Sequence, residues 1–272
     1  MSDYVSPQVI AILNVTPDSF SDGGKVRTTA EAVDRGIELH EQGADIVDVG
    51  GESTRPGAER VPEVEERKRV IPVVKKLAAA GVIVSVDTMN SNTALAAADA
   101  GASFINDVSG GLSDPAMYAV IARTGLLYIA MHWRGPSADM HRLAQYRDVV
   151  TDVRAELKGR LAEMIVSGID LERVILDPGL GFAKEAHHNW QLLAGLARLG
   201  SLGRPLLIGA SRKRFLAEFS PVDAPPTDRD AATAMVTVMA ARSGVWGVRV
   251  HDVPSTRVAL NVVTAWKNAG QP

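Results

Sequence analysis

The sequence predicts a (β/α)8 barrel of the TIM type, and three observations carry that prediction. The 272 residues suit one α/β barrel, taken as a single domain over residues 1–272. A unit recurs along the chain, in which a helical stretch ends in glycine and a short Val/Ile-rich run follows and closes on polar residues. The rival from the same alternation is a doubly wound open sheet, but its usual G-x-G-x-x-G turn after the first strand is absent.

In chain order, Val9–Asn14 reads as the first strand. Thr28 with Glu31 forms a capping-box pattern, and Ala30, Val33 and Ile37 share one face of the helix that follows. Gly43 leads into Ile46–Gly50. Arg67, Lys68 and Arg69 follow Glu63, Glu65 and Glu66, the pattern of a solvated helix face. Pro72 lies in an otherwise helical segment and predicts a kink or a late start. Gly81 leads into Val82–Asp87 and Gly101 into Phe104–Asp107. Asp114-Pro115 reads as an N-cap with proline at the first helical position. Gly125 precedes Leu126–His132, and Val149, Val153, Leu157, Leu161 and Met164 line one side of a long helix. Gly168, Gly203 and Gly244 then lead into Val174–Asp177, Leu206–Ser211 and Val248–His251. Glycine suits the left-handed position past a helix end, and a continuous apolar run suits a strand buried on both faces.

Composition narrows the function. A net charge of −3 and the absence of a Lys/Arg stripe point away from nucleic acid. With no cysteine, disulfides and thiolate metal sites are excluded. No apolar run approaches a membrane span, and the polar stretch Met1–Gln8 has no signal-peptide core, so the expectation is cytoplasmic.

In such barrels chemistry sits at the C-terminal ends of the strands. Those ends carry Asn14, Asp48, Asp87, Asn106 with Asp107, His132, Asp177, Ser211, and Arg249 with His251. A lone Asp there is more often a cap than a catalyst, and Asp48 and Asp107 are read that way. Asp87, Asn106 and Asp177 can ring a flat heterocycle, since carboxylates accept paired N–H groups and Asn donates and accepts side by side. Arg55, Lys213, Arg249 and His251 form a basic group suited to an anion. A pair of glycosidase-type carboxylates is a competing reading. Two loops, Asn14–Gly24 and Gly50–Gly57, are rich in Gly, Pro, Ser and Asp, and can close over a ligand. Phe20 in the first suits a stacking or lid role. The other reading is of plain connections.

Eight stretches together resemble the dihydropteroate synthase family. They are Asn14-Val-Thr-Pro-Asp-Ser-Phe-Ser-Asp-Gly-Gly24, Asp48-Val-Gly-Gly-Glu-Ser-Thr-Arg-Pro-Gly57, Ser85-Val-Asp-Thr88, Ile105-Asn-Asp-Val-Ser-Gly-Gly111, Ile129-Ala-Met-His-Trp133, Leu176-Asp-Pro-Gly-Leu-Gly-Phe182, Gly209-Ala-Ser-Arg-Lys-Arg-Phe215 and Val248-Arg-Val-His-Asp252. The resemblance runs from about residue 8 to residue 266 and is strongest to actinobacterial members. It implies condensation of a dihydropterin pyrophosphate with p-aminobenzoate. It also implies a homodimer and inhibition by sulfonamides.

The resemblance assigns roles residue by residue. Asp87, Asn106, Asp177 and Lys213 would bind pterin, with Asp87, Asp177 and Lys213 carrying catalysis. Asn14 would hold Mg2+ with the pyrophosphate, which Thr54, Arg55, Arg249 and His251 would bind. Phe20, Asp22, Pro56, Phe182 and Ser211 would shape the p-aminobenzoate site. Some members carry Ser directly after the motif lysine, where this chain has Arg214. Two alternatives stand beside this reading: a corrinoid-type pterin methyltransferase, which has no use for the basic cluster, and a pterin binder without turnover.

Overall fold

Strands and helices alternate as the glycine-punctuated repeat predicts. The computed structural model describes residues 6–16, 28–52, 60–136 and 140–269. In order these form β1 (Gln8–Asn14), α1 (Thr29–Glu41), β2 (Ile46–Gly50), α2 (Glu63–Ala79), β3 (Val84–Asp87), α3 (Ser91–Asp99) and β4 (Phe104–Asp107). There follow α4 (Met117–Thr124), β5 (Leu127–Met131), α5 (Met140–Leu143), α6 (Val149–Val166), β6 (Val174–Asp177), α7 (Ala186–Ala194) and α8 (Leu196–Gly200). The chain then runs through β7 (Leu207–Ile208), α9 (Asp230–Arg242), β8 (Gly247–Val250) and α10 (Val253–Ala269). The strands pair in parallel in the order β6-β5-β4-β3-β2-β1-β8-β7. A parallel bridge from Leu176 to Leu206 joins β6 to the residue before β7 and closes the barrel.

Side chains alternate along each strand, so one set faces the helices and the other fills the barrel. Val9, Ala11, Leu13, Val47, Val49, Val84 and Val86 pack outward against the helices. Ile10, Ile46, Phe104, Ile129, Ile175 and Leu207 form a separate apolar cluster inside. Two residues further along their strands stand Asp48, Asn106 and Asp177, with Arg249 in register with Ile10 and Asp87 beside Asn106 and Gly50 in the ladder. The parity that places Ile and Leu on the barrel floor therefore places polar groups directly above it.

All seven glycines of the repeat have positive φ, from 71° at Gly125 to 105° at Gly43. The capping box forms, with Glu31 N–H donating to Thr28 Oγ1 at 3.2 Å and Thr28 N–H to Glu31 Oε2 at 2.9 Å. Arg67 and Arg69 pair with Glu63 and Glu65 one turn earlier, as the solvated face predicts.

Three local expectations are corrected. Helix α2 starts at Glu63, well before Pro72, so the late start does not occur and the proline lies inside the helix. The carbonyl that Pro72 cannot engage belongs to Lys68, an exposed residue. Asp114 does not start α4 at Pro115: the helix begins at Met117, and Asp114 accepts Ser91 N–H of α3 at 2.8 Å and Ala116 N–H at 2.9 Å. Strand β7 keeps only Leu207 and Ile208 of the expected Leu206–Ser211 run.

Candidate active site

At the C-terminal mouth a connected polar network spans four strands. Arg249 on β8 donates through Nε to Asp48 Oδ2 at 2.6 Å and through Nη2 to Asp87 Oδ2 at 2.7 Å. Asn106 on β4 donates through Nδ2 to the same Asp48 oxygen at 2.9 Å. Asp48 has no exposed surface, Asp87 has 7% and Asn106 4%. The guanidinium thus ties two carboxylates together and keeps its own proton firmly, since neighbouring Asp48 and Asp87 outweigh the desolvation that would lower it. Burial pushes Asp87 up to about 7 against the pull of Arg249.

Asp177, at the end of β6, closes the other side. Its Oδ1 accepts Gly179 N–H at 2.7 Å. Burial raises its pKa, opposed by Lys213, the Gly179 N–H, Arg249 and Lys184. Gly209 shows how these groups converge: a Cβ there would lie 3.6 Å from Asp177 Oδ2, 3.8 Å from Lys213 Nζ and 4.0 Å from Arg249 Cβ. Lys213 Nζ donates to Leu180 O and lies 4.7 Å from the Phe182 ring centroid. Burial lowers its pKa to about 8, with Asp177 opposing.

Ser211 and His251 meet side by side, Oγ to Nδ1 at 2.8 Å, and His251 N–H donates to the same hydroxyl at 3.1 Å. Asn14, at the end of β1, puts its Oδ1 3.6 Å from where a Cβ on Gly50 would stand. The structure therefore brings together Asp87, Asn106, Asp177, Lys213, Arg249, Phe182, Ser211, His251 and Asn14 at one end of the barrel. Phe20, Asp22, Thr54, Arg55 and Pro56 lie outside the described residues.

The sequence reading of Asp48 as a cap is wrong. It lies inside β2 with the barrel-facing parity and accepts two side-chain donors. Its flanks, Val47 and Val49, gave the signal: a strand continues past it, so no helix starts there. Asp107 does serve the backbone, accepting Ser109 N–H and Gly111 N–H at 2.8 Å in a turn rather than at a helix start, and it also accepts the Tyr128 hydroxyl at 2.7 Å.

His132, a strand-end residue in the sequence, has partners that no sequence pattern pointed to. His132 bonds Glu156 Oε2 through Nε2 at 2.8 Å and Lys184 Nζ through Nδ1 at 3.0 Å. Burial and the nearby Lys184 hold His132 down at about 4, so it is neutral, accepting from the lysine and donating to the glutamate. Arg134 also binds Glu156 and lies 3.8 Å over the Tyr146 ring, whose Oη–H donates to Ala183 O at 3.0 Å. Lys184 donates to Phe182 O at 2.9 Å. Ala183, held between these bonds, has φ +48°, a conformation that costs a non-glycine residue about 1–2 kcal/mol. The cluster fixes the turn that carries Phe182.

Against known proteins, residues 10–251 match the family described as pterin binding enzyme. The dihydropteroate synthase of Mycobacterium leprae (strain TN) is 49% identical over 268 residues, 97% of this chain and 94% of that protein. The structure of Xanthomonas albilineans dihydropteroate synthase with 4-aminobenzoic acid superposes with TM-score 0.90 at 43% identity, covering 98% of this chain and 94% of that one. The Yersinia pestis dihydropteroate synthase in complex with a sulfonamide drug gives TM-score 0.92 at 40% identity, covering 98% and 96%. The mycobacterial relative agrees with the actinobacterial resemblance of the motifs. The chain belongs to the dihydropteroate synthases of the pterin binding enzyme family.

Proposed function

We propose that the barrel mouth condenses 6-hydroxymethyl-7,8-dihydropterin pyrophosphate with p-aminobenzoate, giving 7,8-dihydropteroate and pyrophosphate. The observation that carries this is the charge pattern of the mouth: Asp48, Asp87 and Asp177 stand against Arg249 and Lys213, three carboxylates to two cations. In the reaction the C–O bond from the pterin methylene to pyrophosphate breaks, and its electron pair leaves with the pyrophosphate. The positive charge left on the methylene spreads into the ring, where Asp87 and Asp177 stabilise it. The arylamine lone pair forms the new C–N bond, and the ammonium proton passes to solvent or to the departing anion. No enzyme nucleophile takes part.

Asp87, Asn106, Asp177 and Lys213 are assigned to the pterin. Arg249 and His251, with Thr54 and Arg55, are assigned to the pyrophosphate. Phe182 and Ser211, with Phe20, Asp22 and Pro56, are assigned to p-aminobenzoate. The Ser211–His251 contact supports adjacent seats for the attacking and leaving groups. In place of the Ser that some relatives carry, Arg214 is exposed and opens a short 3-10 turn rather than an α-helix.

For Mg2+ the donor set fits a substrate-borne ion. Among the described residues no cluster of three acidic or imidazole side chains could cage one. Mg2+ commonly takes one or two protein oxygens and completes its shell with water and phosphate. Asn14 Oδ1 would be such an oxygen, and the bound ion would neutralise charge on the leaving pyrophosphate.

A homodimer is part of the proposal. Met235 and Met239 on α9, and Val258, Val262 and Trp266 on α10, recur every fourth residue and are 59–77% exposed. The two stripes lie on helices that pack against each other, and an apolar surface of this kind marks an interface. A cytoplasmic location also belongs to the proposal. No helix among the described residues is long and apolar enough to cross a membrane.

The test is incubation with the two substrates and mass-spectrometric detection of 7,8-dihydropteroate. A sulfonamide should compete with p-aminobenzoate. Absence of product, or transfer of a methyl group instead, would overturn the reading.

A further inference from the structure

Asp48 is fully buried beneath the mouth. Its Oδ2 accepts both Asn106 Nδ2 and Arg249 Nε. Its Oδ1 is buried with no hydrogen-bond partner among the described residues, as is Ser85 Oγ on the neighbouring strand, in register with it. A buried carboxylate left half satisfied is costly, so packing alone gives no account of an acid at this place.

Its effect on Asn106 is specific. Only the amide nitrogen can donate to a carboxylate, so the contact fixes which end of the Asn106 amide is which. Turning the amide over would set Oδ1 against Asp48 Oδ2, two acceptors facing each other. The Asn106 Oδ1 is therefore held on the far side of the amide, and no described residue donates to it. Arg249 is anchored in the same way: Nε is committed to Asp48 and Nη2 to Asp87, which sets the plane of the guanidinium.

We propose that Asp48 is a specificity-determining positioning residue: by locking the Asn106 amide as an outward acceptor, it makes the heterocycle site select rings that present N–H donors there. The proposal rests on the pterin reading above and names the residue that sets the site's donor–acceptor polarity. It gives Asp48 no contact with substrate.

The experiment is calorimetry with two probes, pterin and lumazine, in which an oxygen replaces the exocyclic amine and turns a donor edge into an acceptor. The quantity read is the ratio of their affinities within one protein. A loss of folded protein scales both affinities alike and leaves that ratio unmoved, so a purely structural role for Asp48 is separable. The wild type should favour pterin strongly. Asp48→Ala frees the amide to rotate, and the ratio should fall about tenfold, the worth of one hydrogen bond exchanged for its opposite. Asp48→Ser, whose hydroxyl is too short to reach, should behave likewise. Asp48→Asn keeps an acceptor oxygen and should keep the ratio. An unchanged ratio in Asp48→Ala and Asp48→Ser would overturn the proposal. So would recovery of both only as unfolded protein, since Asp48 would then be a folding residue. A wild type that binds neither probe would instead count against the pterin reading itself.

Discussion

Asp177 spends one carboxylate oxygen on its own turn: Oδ1 accepts the N–H of Gly179 at 2.7 Å, while Oδ2 faces the space beside Gly209. The residue is thus both a turn cap and a wall of the mouth. The two roles separate in one variant. Asp177→Asn retains an oxygen for Gly179 and should melt close to the wild type. Pterin affinity should drop by about 1.5–3 kcal/mol, roughly 10- to 150-fold, because a charged acceptor is lost. Calorimetry together with thermal melts checks this. Pterin binding that is unchanged in Asp177→Asn would make Asp177 a cap only.

Arg249 neutralises two buried carboxylates, so its removal acts twice. Arg249→Ala leaves Asp48 and Asp87 without their cation, a change that commonly costs about 3–5 kcal/mol of stability. Beyond that shared loss, a ligand carrying pyrophosphate should weaken at least about tenfold more than a bare pterin, since a charge-assisted bond to phosphate exists only with the phosphate. Equal losses for the two ligands would show that Arg249 does nothing but hold Asp48 and Asp87.

Lys184 supplies a pH signature. Burial lowers its pKa to about 7 from the ordinary 10.5, with Asp177 opposing. Between those values the unfolded chain holds a proton that the folded protein has released, so stability rises with pH across that window. The cost is full below about pH 7 and fades toward 10.5. Lys213, lowered to about 8, adds a similar rise that starts higher. The melting temperature should therefore climb above neutral pH, and Lys184→Met should remove the lower part of the climb. A slope unchanged in Lys184→Met would mean that the lysine stays protonated beside His132.

How much of this was legible in the sequence differs residue by residue. The barrel was, because seven of its strands are preceded by a left-handed glycine and the apolar runs give way to polar residues, signals that lie within a few positions of each other. Asp87, Asn106 and Asp177 were legible for the same reason. Asp48 was discounted because the strand-end rule was applied without strand parity, which places it on the barrel-facing side with Ile46. The His132–Glu156–Lys184 cluster joins residues 24 and 52 positions apart. No local pattern announces such a contact, since it exists only once β5, α6 and the turn after β6 are packed. Arg249 was placed at the mouth by its strand end, but nothing in the sequence shows that it bridges Asp48 and Asp87.

The apolar stripes of α9 and α10 lead to an expectation about assembly. Trp266→Glu, at a residue 77% exposed, should give a monomer by analytical ultracentrifugation while its barrel melts near the wild-type temperature. A wild type that sediments as a monomer at micromolar concentration would remove the dimer from the account.

The most direct measurement follows both products at once. Purified protein is given Mg2+ and the dihydropterin pyrophosphate, and pyrophosphate and dihydropteroate are quantified before and after p-aminobenzoate is added. The account predicts that the two products appear in equal amounts, only in the presence of p-aminobenzoate, and that Asp177→Asn suppresses both together. A protein that binds pterin tightly in the mouth yet releases no pyrophosphate when p-aminobenzoate is supplied would contradict it.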